Sequence, residues 1–211
     1  MPTIAIVSQK GGSGKTTLAL HLATCATYDG RKSCVIDMDP QATAAAWGDW
    51  RGDYLPEVIT CPPVRLVSTI LKATRGGSEI LVIDTPPQSD LASREAARAA
   101  DLILIPTRAR AFDLHALEAT SELVRYARKP AFVLLNAVPA RATRLLAETA
   151  DLVSGHGLEV CPVHFGERAA FHRASASGEV ASEVEPEGKA AGEADALWDW
   201  VSAKLELAPV S

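Results

Sequence analysis

Lys10–Thr17, KGGSGKTT, is the stretch that decides the fold. Before it, Thr3–Val7 (TIAIV) reads as a buried strand; after it, Lys15–Tyr28 carries the spacing of a helix. A strand, a glycine-rich turn and a helix in that order make a phosphate loop. Gly11, Gly12 and Gly14 let backbone N–H groups turn inward around phosphate oxygens, with Ser13 between them. The helix that follows aims its positive end at the same anion. In such a loop Lys15 reaches the β- and γ-phosphates, the Thr16 hydroxyl ligates Mg²⁺ and Thr17 lies within reach of the α-phosphate. One departure from the ordinary GxxxxGK[ST] spacing matters. Gln9 occupies the usual first glycine position, and a second lysine, Lys10, precedes the glycine pair.

Outward from the loop, short apolar runs alternate with amphipathic segments. Strands are expected at Ser33–Asp37, Glu57–Cys61, Ile80–Asp84, Asp101–Pro106, Ala131–Asn136 and Leu158–Pro162. Helices are expected near Ala42–Trp50, Val64–Thr74, Ser89–Ala99, Asp113–Tyr126 (capped by Asp113), Arg141–Ser154, Glu167–Ala176 and Glu193–Leu205. The alternation implies an α/β fold: a mostly parallel twisted sheet of about seven strands with helices on both faces, in one domain over residues 1–211. Ligands of such sheets bind outside the carboxyl ends of the strands. There the sequence places Asp37 and Asp39 (VIDMDPQ) and Asp84 (ILVIDTPP). Asp84 suits a Walker B role on Mg²⁺, an ion that keeps several waters and takes few protein ligands. One of the first pair is suited to orient an attacking water.

Composition narrows the classes. Of 211 residues, 47% are apolar and 22% charged, which excludes a wholly disordered chain. No apolar run reaches the ~18 residues of a membrane span. Cys25, Cys34, Cys61 and Cys161 form no CxxC pair, so they read as buried thiols of a reducing cytoplasm. The formal net charge of -5 excludes a globally basic nucleic-acid binder but not a local basic patch. Residues 174–211 hold 2 Lys/Arg against 8 Asp/Glu, so anionic lipid would repel the last helix. Its Leu197, Trp198, Val201 and Leu205 read as core contacts, while Trp200 falls on another face, exposed or at an interface.

KGGSGKTT, DMDPQ and IDTPP together resemble the ParA family of deviant-Walker partition ATPases, relatives of MinD and the nitrogenase iron protein. The likeness extends through DPQATAAAW and PTRARAFDLHAL, from Thr3 to at least Asn136. It implies the small family type, without an N-terminal DNA-binding extension. It implies ATP/ADP and Mg²⁺ as ligands and slow intrinsic turnover. In this family's terms Lys10 reaches the partner's phosphates across an ATP-closed homodimer, and Asp39 positions the hydrolytic water. Asp37 and Thr16 attend the Mg²⁺, Asn136 reads the adenine edge, and Pro162 lies near the base. The implied function is segregation of plasmid or chromosomal DNA: the dimer binds nonspecific double-stranded DNA, and a ParB-like centromere-binding partner resets it. That places the chain in the cytoplasm, on the nucleoid and off the membrane. Arg141, Arg144, Arg168 and Arg173 are the candidate DNA contacts, with Arg108 and Arg110 as a switch or partner surface. A ParA-like ATPase that positions a protein cargo on the nucleoid is the alternative. A small-molecule enzyme of the dethiobiotin-synthetase kind fits the motifs less well.

Overall fold

A computed structural model of the chain describes residues 1–108 and 117–209. Seven strands, β1 (Thr3–Ile6), β2 (Ser33–Asp37), β3 (Glu57–Thr60), β4 (Ile80–Asp84), β5 (Leu102–Arg108), β6 (Ala131–Asn136) and β7 (Glu159–Val160), form one sheet in the order β3-β2-β4-β1-β5-β6-β7. Every pairing is parallel. The mostly parallel sheet expected from the sequence is thus wholly parallel. From β1 the chain first builds outward on one side, through β2, β3 and β4. It then crosses to β5, β6 and β7 on the other. The crevice at that reversal lies beside the end of β1, where the phosphate loop begins.

Alternation along the strands feeds two cores. Ile4, Ile6, Ile80, Val82, Leu102 and Leu104 face one layer; Ala5, Val7, Leu81, Ile83, Ile103 and Ile105 face the other. The first layer is covered by α1 (Lys15–Tyr28), α2 (Thr43–Arg51), α7 (Ala169–Ser175), α8 (Ala181–Val184) and α9 (Lys189–Lys204). The second is covered by α3 (Leu66–Arg75), entered through a 3₁₀ turn at Pro63–Arg65, and by α4 (Asp90–Ala99), α5 (Leu117–Ala127) and α6 (Thr143–Gly155). Strands buried on both faces explain their near-continuous apolar runs.

Some bounds move. β5 runs two residues past Pro106. Its pairing with β1 has ended by then, at Ile6 opposite Leu104, so the missing proline N–H breaks no ladder on that side. α9 starts at Lys189 and runs through Gly192, because Ala190 and Ala194 pack into the core where a small side chain suits close approach. α9 is a core helix: Leu197 and Val201 are fully buried and Trp198 nearly so, each worth ~1.5–3 kcal/mol relative to exposure. Trp200 also turns inward, edge-on to Phe132 at 4.9 Å, with the Lys204 ammonium over both rings. Among the described residues no helix is long and apolar enough to cross a membrane. All four cysteines are buried free thiols, and burial pushes Cys25 and Cys34 up to about 12. Arg110 and Asp113 lie outside the described residues.

Candidate functional site

The loop between β1 and α1 takes two left-handed turns, at Gly12 (φ 70°) and Gly14 (φ 96°), which only glycine adopts without strain. At Gly14 a second constraint acts: a Cβ there would lie 2.0 Å from Asn136 Nδ2. Asn136, at the end of β6, donates that N–H to the Ser13 carbonyl at 2.7 Å. Its Oδ1 accepts from Ala137 N at 2.8 Å. The amide that the sequence offered to an adenine edge is therefore engaged by the loop and by its own neighbour.

Inside the loop, Lys15 is buried and its Nζ donates to the Lys10 carbonyl at 3.1 Å. Burial lowers its pKa, while the Asp84 and Asp39 charges raise it. Lys10, Gly11 and Gly12 are exposed on the outer rim. The register sets Asp84 beside both Ile6 and Asp37, so the ends of three strands bring the carboxylates together. Thr16 Oγ1 donates to Asp84 Oδ2 at 2.7 Å. The other oxygen, Asp84 Oδ1, and the Ser13 hydroxyl are buried and have no hydrogen-bond partner among the described residues. Burial pushes the Asp84 carboxyl up to about 7; the Thr16 hydrogen bond and Lys15 oppose this, and Asp37 and Asp39 reinforce it.

Asp37 is spent differently. Its Oδ1 accepts from Asp39 N at 2.9 Å and its Oδ2 from Ala45 N at 3.0 Å, pinning the turn and the first turn of α2. Burial raises its pKa and those N–H groups lower it. Asp39 stays half-buried, with Oδ1 accepting from Gln41 N. Pro162 is exposed, just past β7. His21 lies one helical turn below Thr17, its Nδ1 on the Thr17 carbonyl at 2.7 Å and its Nε2 accepting from Ala181 N at 3.0 Å. Complete burial holds its pKa down at about 4, so the ring is neutral.

A connection absent from the sequence reading joins the loop to α4. Gln9 Nε2 donates to Asp90 Oδ1 at 2.9 Å, and Gln88 N donates to the Gln9 carbonyl at 3.3 Å. The one signal for it was Gln9 itself, a side chain where the ordinary motif has glycine.

The arginine patch does not assemble as expected. Arg141 precedes α6 in a left-handed turn (φ 62°) and shares no helix face with Arg144. Arg144 pairs with Glu148 one turn on, at 2.7 Å. Arg173 pairs with Glu185. Arg168 is committed most fully: Nη2 and Nε donate to Glu193 Oε1 at 2.6 and 3.1 Å, while Glu193 Oε2 accepts from Gly166 N. The glutamates responsible lie up to 25 residues away, which spacing alone does not reveal.

Among the described residues no three His, Cys, Asp or Glu side chains cluster as a metal cage. An orphaned buried carboxylate oxygen next to a threonine hydroxyl and a buried lysine instead fits an ion brought in on phosphate oxygens, which keeps several waters.

Residues 4–181 match the model of the CobQ/CobB/MinD/ParA nucleotide binding domain. A maintenance of carboxysome distribution protein A from Gloeobacter kilaueensis is 31% identical over 211 residues, covering 96% of this chain and 93% of its own. The protein of the same name from Halothiobacillus neapolitanus is 29% identical over 202 residues, covering 90% and 91%. The sporulation initiation inhibitor protein Soj of Bacillus subtilis is 28% identical over 165 residues, covering 59% and 64%. In structure, the septum site-determining protein MinD of Pyrococcus horikoshii, complexed with Mg-ADP, superposes with a TM-score of 0.77 at 19% identity, covering 100% of this chain and 99% of that one.

Proposed function

Because the chain belongs to the CobQ/CobB/MinD/ParA family of nucleotide-binding proteins, we propose that it is a Mg²⁺-dependent ATPase whose ATP-bound form closes into a homodimer and positions a protein cargo along nonspecific DNA. The observation that carries the nucleotide chemistry is Asp84: fully buried, one oxygen on the Thr16 hydroxyl, the other without a partner among the described residues, with Lys15 nearby. A carboxylate so placed is satisfied when a cation arrives. Thr16 and Asp84 would hold Mg²⁺, with Asp37 behind them, and the ion when bound would neutralise charge on the β- and γ-phosphates. The loop N–H groups and Lys15 orient those phosphates. Ser13 offers its free hydroxyl to a phosphate oxygen. Asp39, half-buried and close enough to influence Lys15, positions the attacking water. Lys10, exposed on the rim, acts on the facing subunit. Rate acceleration in such a site comes from position and electrostatics, so turnover is slow until the dimer completes it.

For the cargo, full-length similarity to two carboxysome-distribution proteins supports positioning of a protein assembly over segregation of DNA. Partial similarity to Soj supports partition with a ParB-like partner as the second reading. Arg168 is committed to the half-buried Glu193, while Arg144 and Arg173 make exposed pairs worth little against a phosphate. DNA phosphates are met best by exposed cations that no carboxylate holds among the described residues, including Arg141, Arg65, Lys72, Arg75, Arg94, Arg125 and Arg128. The test is binding of duplex DNA of arbitrary sequence with ATP, ADP or no nucleotide over a salt series, alongside Lys10→Ala. Salt-sensitive binding only with ATP, lost in Lys10→Ala, is the expected result. ATP turnover without DNA binding in any state removes the DNA track from the proposal.

A further inference from the structure

At the far end of α1 and α2 from the phosphates lies a groove of about 960 Å³. α1 alone spans ~20 Å between the two. Three of the chain's seven Tyr and Trp side chains stand around the groove, largely in solvent: Tyr28 at 59%, Trp50 at 61% and Tyr54 at 78% exposure. A single exposed ring needs no explanation, but three around one groove do.

The groove's charge identifies what it suits. Its one lining cation among the described residues, Arg51, is already used: it donates to both Glu183 oxygens and to the carbonyls of Gly178 and Leu55. Tyr28 donates its hydroxyl to the same Glu183. Asp53 and Glu179 remain as carboxylates on the wall, the second accepting only from Ser177 among the described residues. Beyond the Tyr54–Leu55 ridge an adjoining groove adds Asp49 and Glu57. Its lysine, Lys32, turns its ammonium to the Gly76 carbonyl. Exposed aromatic faces beside carboxylates that no cation among the described residues pairs with attract cationic side chains, which stack on the rings while their charge meets the acids.

The geometry points to a docking site for a Lys/Arg-bearing segment of a partner protein, with Trp50 and Tyr54 as anchors and Asp53 and Glu179 selecting the charge. Aromatic anchors of this kind carry most of the binding energy in protein interfaces. The site is separate from the nucleotide chemistry, although α2 begins where Asp37 holds its first turn and ends at Trp50 and Arg51.

The experiment is fluorescence anisotropy of nucleotide-free protein with two labelled twelve-residue peptides. They share Leu, Ala and Gly positions; one carries Lys and Arg where the other carries Glu and Asp. The expected result is at least tenfold tighter binding of the basic peptide. A tenfold or greater loss is expected in Trp50→Ser/Tyr54→Ser and again in Asp53→Asn/Glu179→Gln. The second pair leaves the rings intact, so a folding defect in one pair cannot imitate the result in both. Lys15→Ala is expected to bind the peptide as wild type does, which separates this site from the ATPase reading. Equal affinity for the two peptides, undiminished binding in either double variant, or spermine competing at the affinity of the peptide overturns the proposal.

Discussion

Gly14→Ala tests the loop as the structure builds it. Two costs are visible. A non-glycine residue at φ 96° sits in the left-handed region, at ~1–2 kcal/mol. The new Cβ also falls 2.0 Å from Asn136 Nδ2, so the amide must leave and its hydrogen bond to Ser13 is lost, ~1 kcal/mol more. Together these destabilise the nucleotide-free protein by roughly 2–3 kcal/mol, or ~4–12 °C in Tm for a chain of this length. Urea unfolding followed by tryptophan fluorescence measures it. Asn136→Ala alone should cost ~1 kcal/mol. Because the hydrogen bond can be lost only once, the double variant should fall short of the sum of the singles by ~1 kcal/mol. Strict additivity, or a Gly14→Ala cost below ~0.5 kcal/mol, would refute the account of Asn136 as a brace on the loop.

The remaining predictions concern charge. Asp84, raised from 3.8 to about 7 by burial, binds more protons folded than unfolded between those values. Its contribution to stability therefore falls as pH rises from about 4 to 7 and is flat above. Asp84→Asn should stabilise the nucleotide-free protein relative to wild type increasingly across that window, by at most roughly 4 kcal/mol, while abolishing Mg²⁺-dependent turnover. His21, held at about 4 against 6.5, has the opposite sign: its contribution is lost as pH falls from 6.5 to 4. The two offset each other in wild type, so thermal melts of Asp84→Asn should show a steeper acid loss that His21→Phe removes. Arg168→Ala should cost ~1–3 kcal/mol by freeing a half-buried Glu193, and leave DNA binding at any salt unchanged; a selective loss of DNA affinity would return Arg168 to the DNA-binding surface. Native protein should react with a thiol reagent such as DTNB only at its unfolding rate, since all four cysteines are buried; a fast phase would contradict that burial.

The backbone-local chemistry of this protein is written in short stretches. Glycines at 11, 12 and 14, a lysine and threonine opening a helix, and carboxylates closing Val35–Asp37 and Leu81–Asp84 specify a phosphate loop at the carboxyl edge of a parallel sheet. Each of those signals depends on neighbours within a few residues or on a repeating period. Such signals specify the sheet, the loop and the family without any long-range contact. Pairing across long separations is another matter. Asn136 braces a loop 123 residues earlier in the chain, and Arg168 finds Glu193 25 residues later. The groove needs Tyr28, Trp50 and the segment around Gly178 on one surface. A cation's availability, a carboxylate's missing partner and a ring's exposure all depend on distances in space. Spacing along the chain does not encode them, so it takes the folded chain to leave one Asp84 oxygen without a partner among the described residues and to commit Arg168 to Glu193.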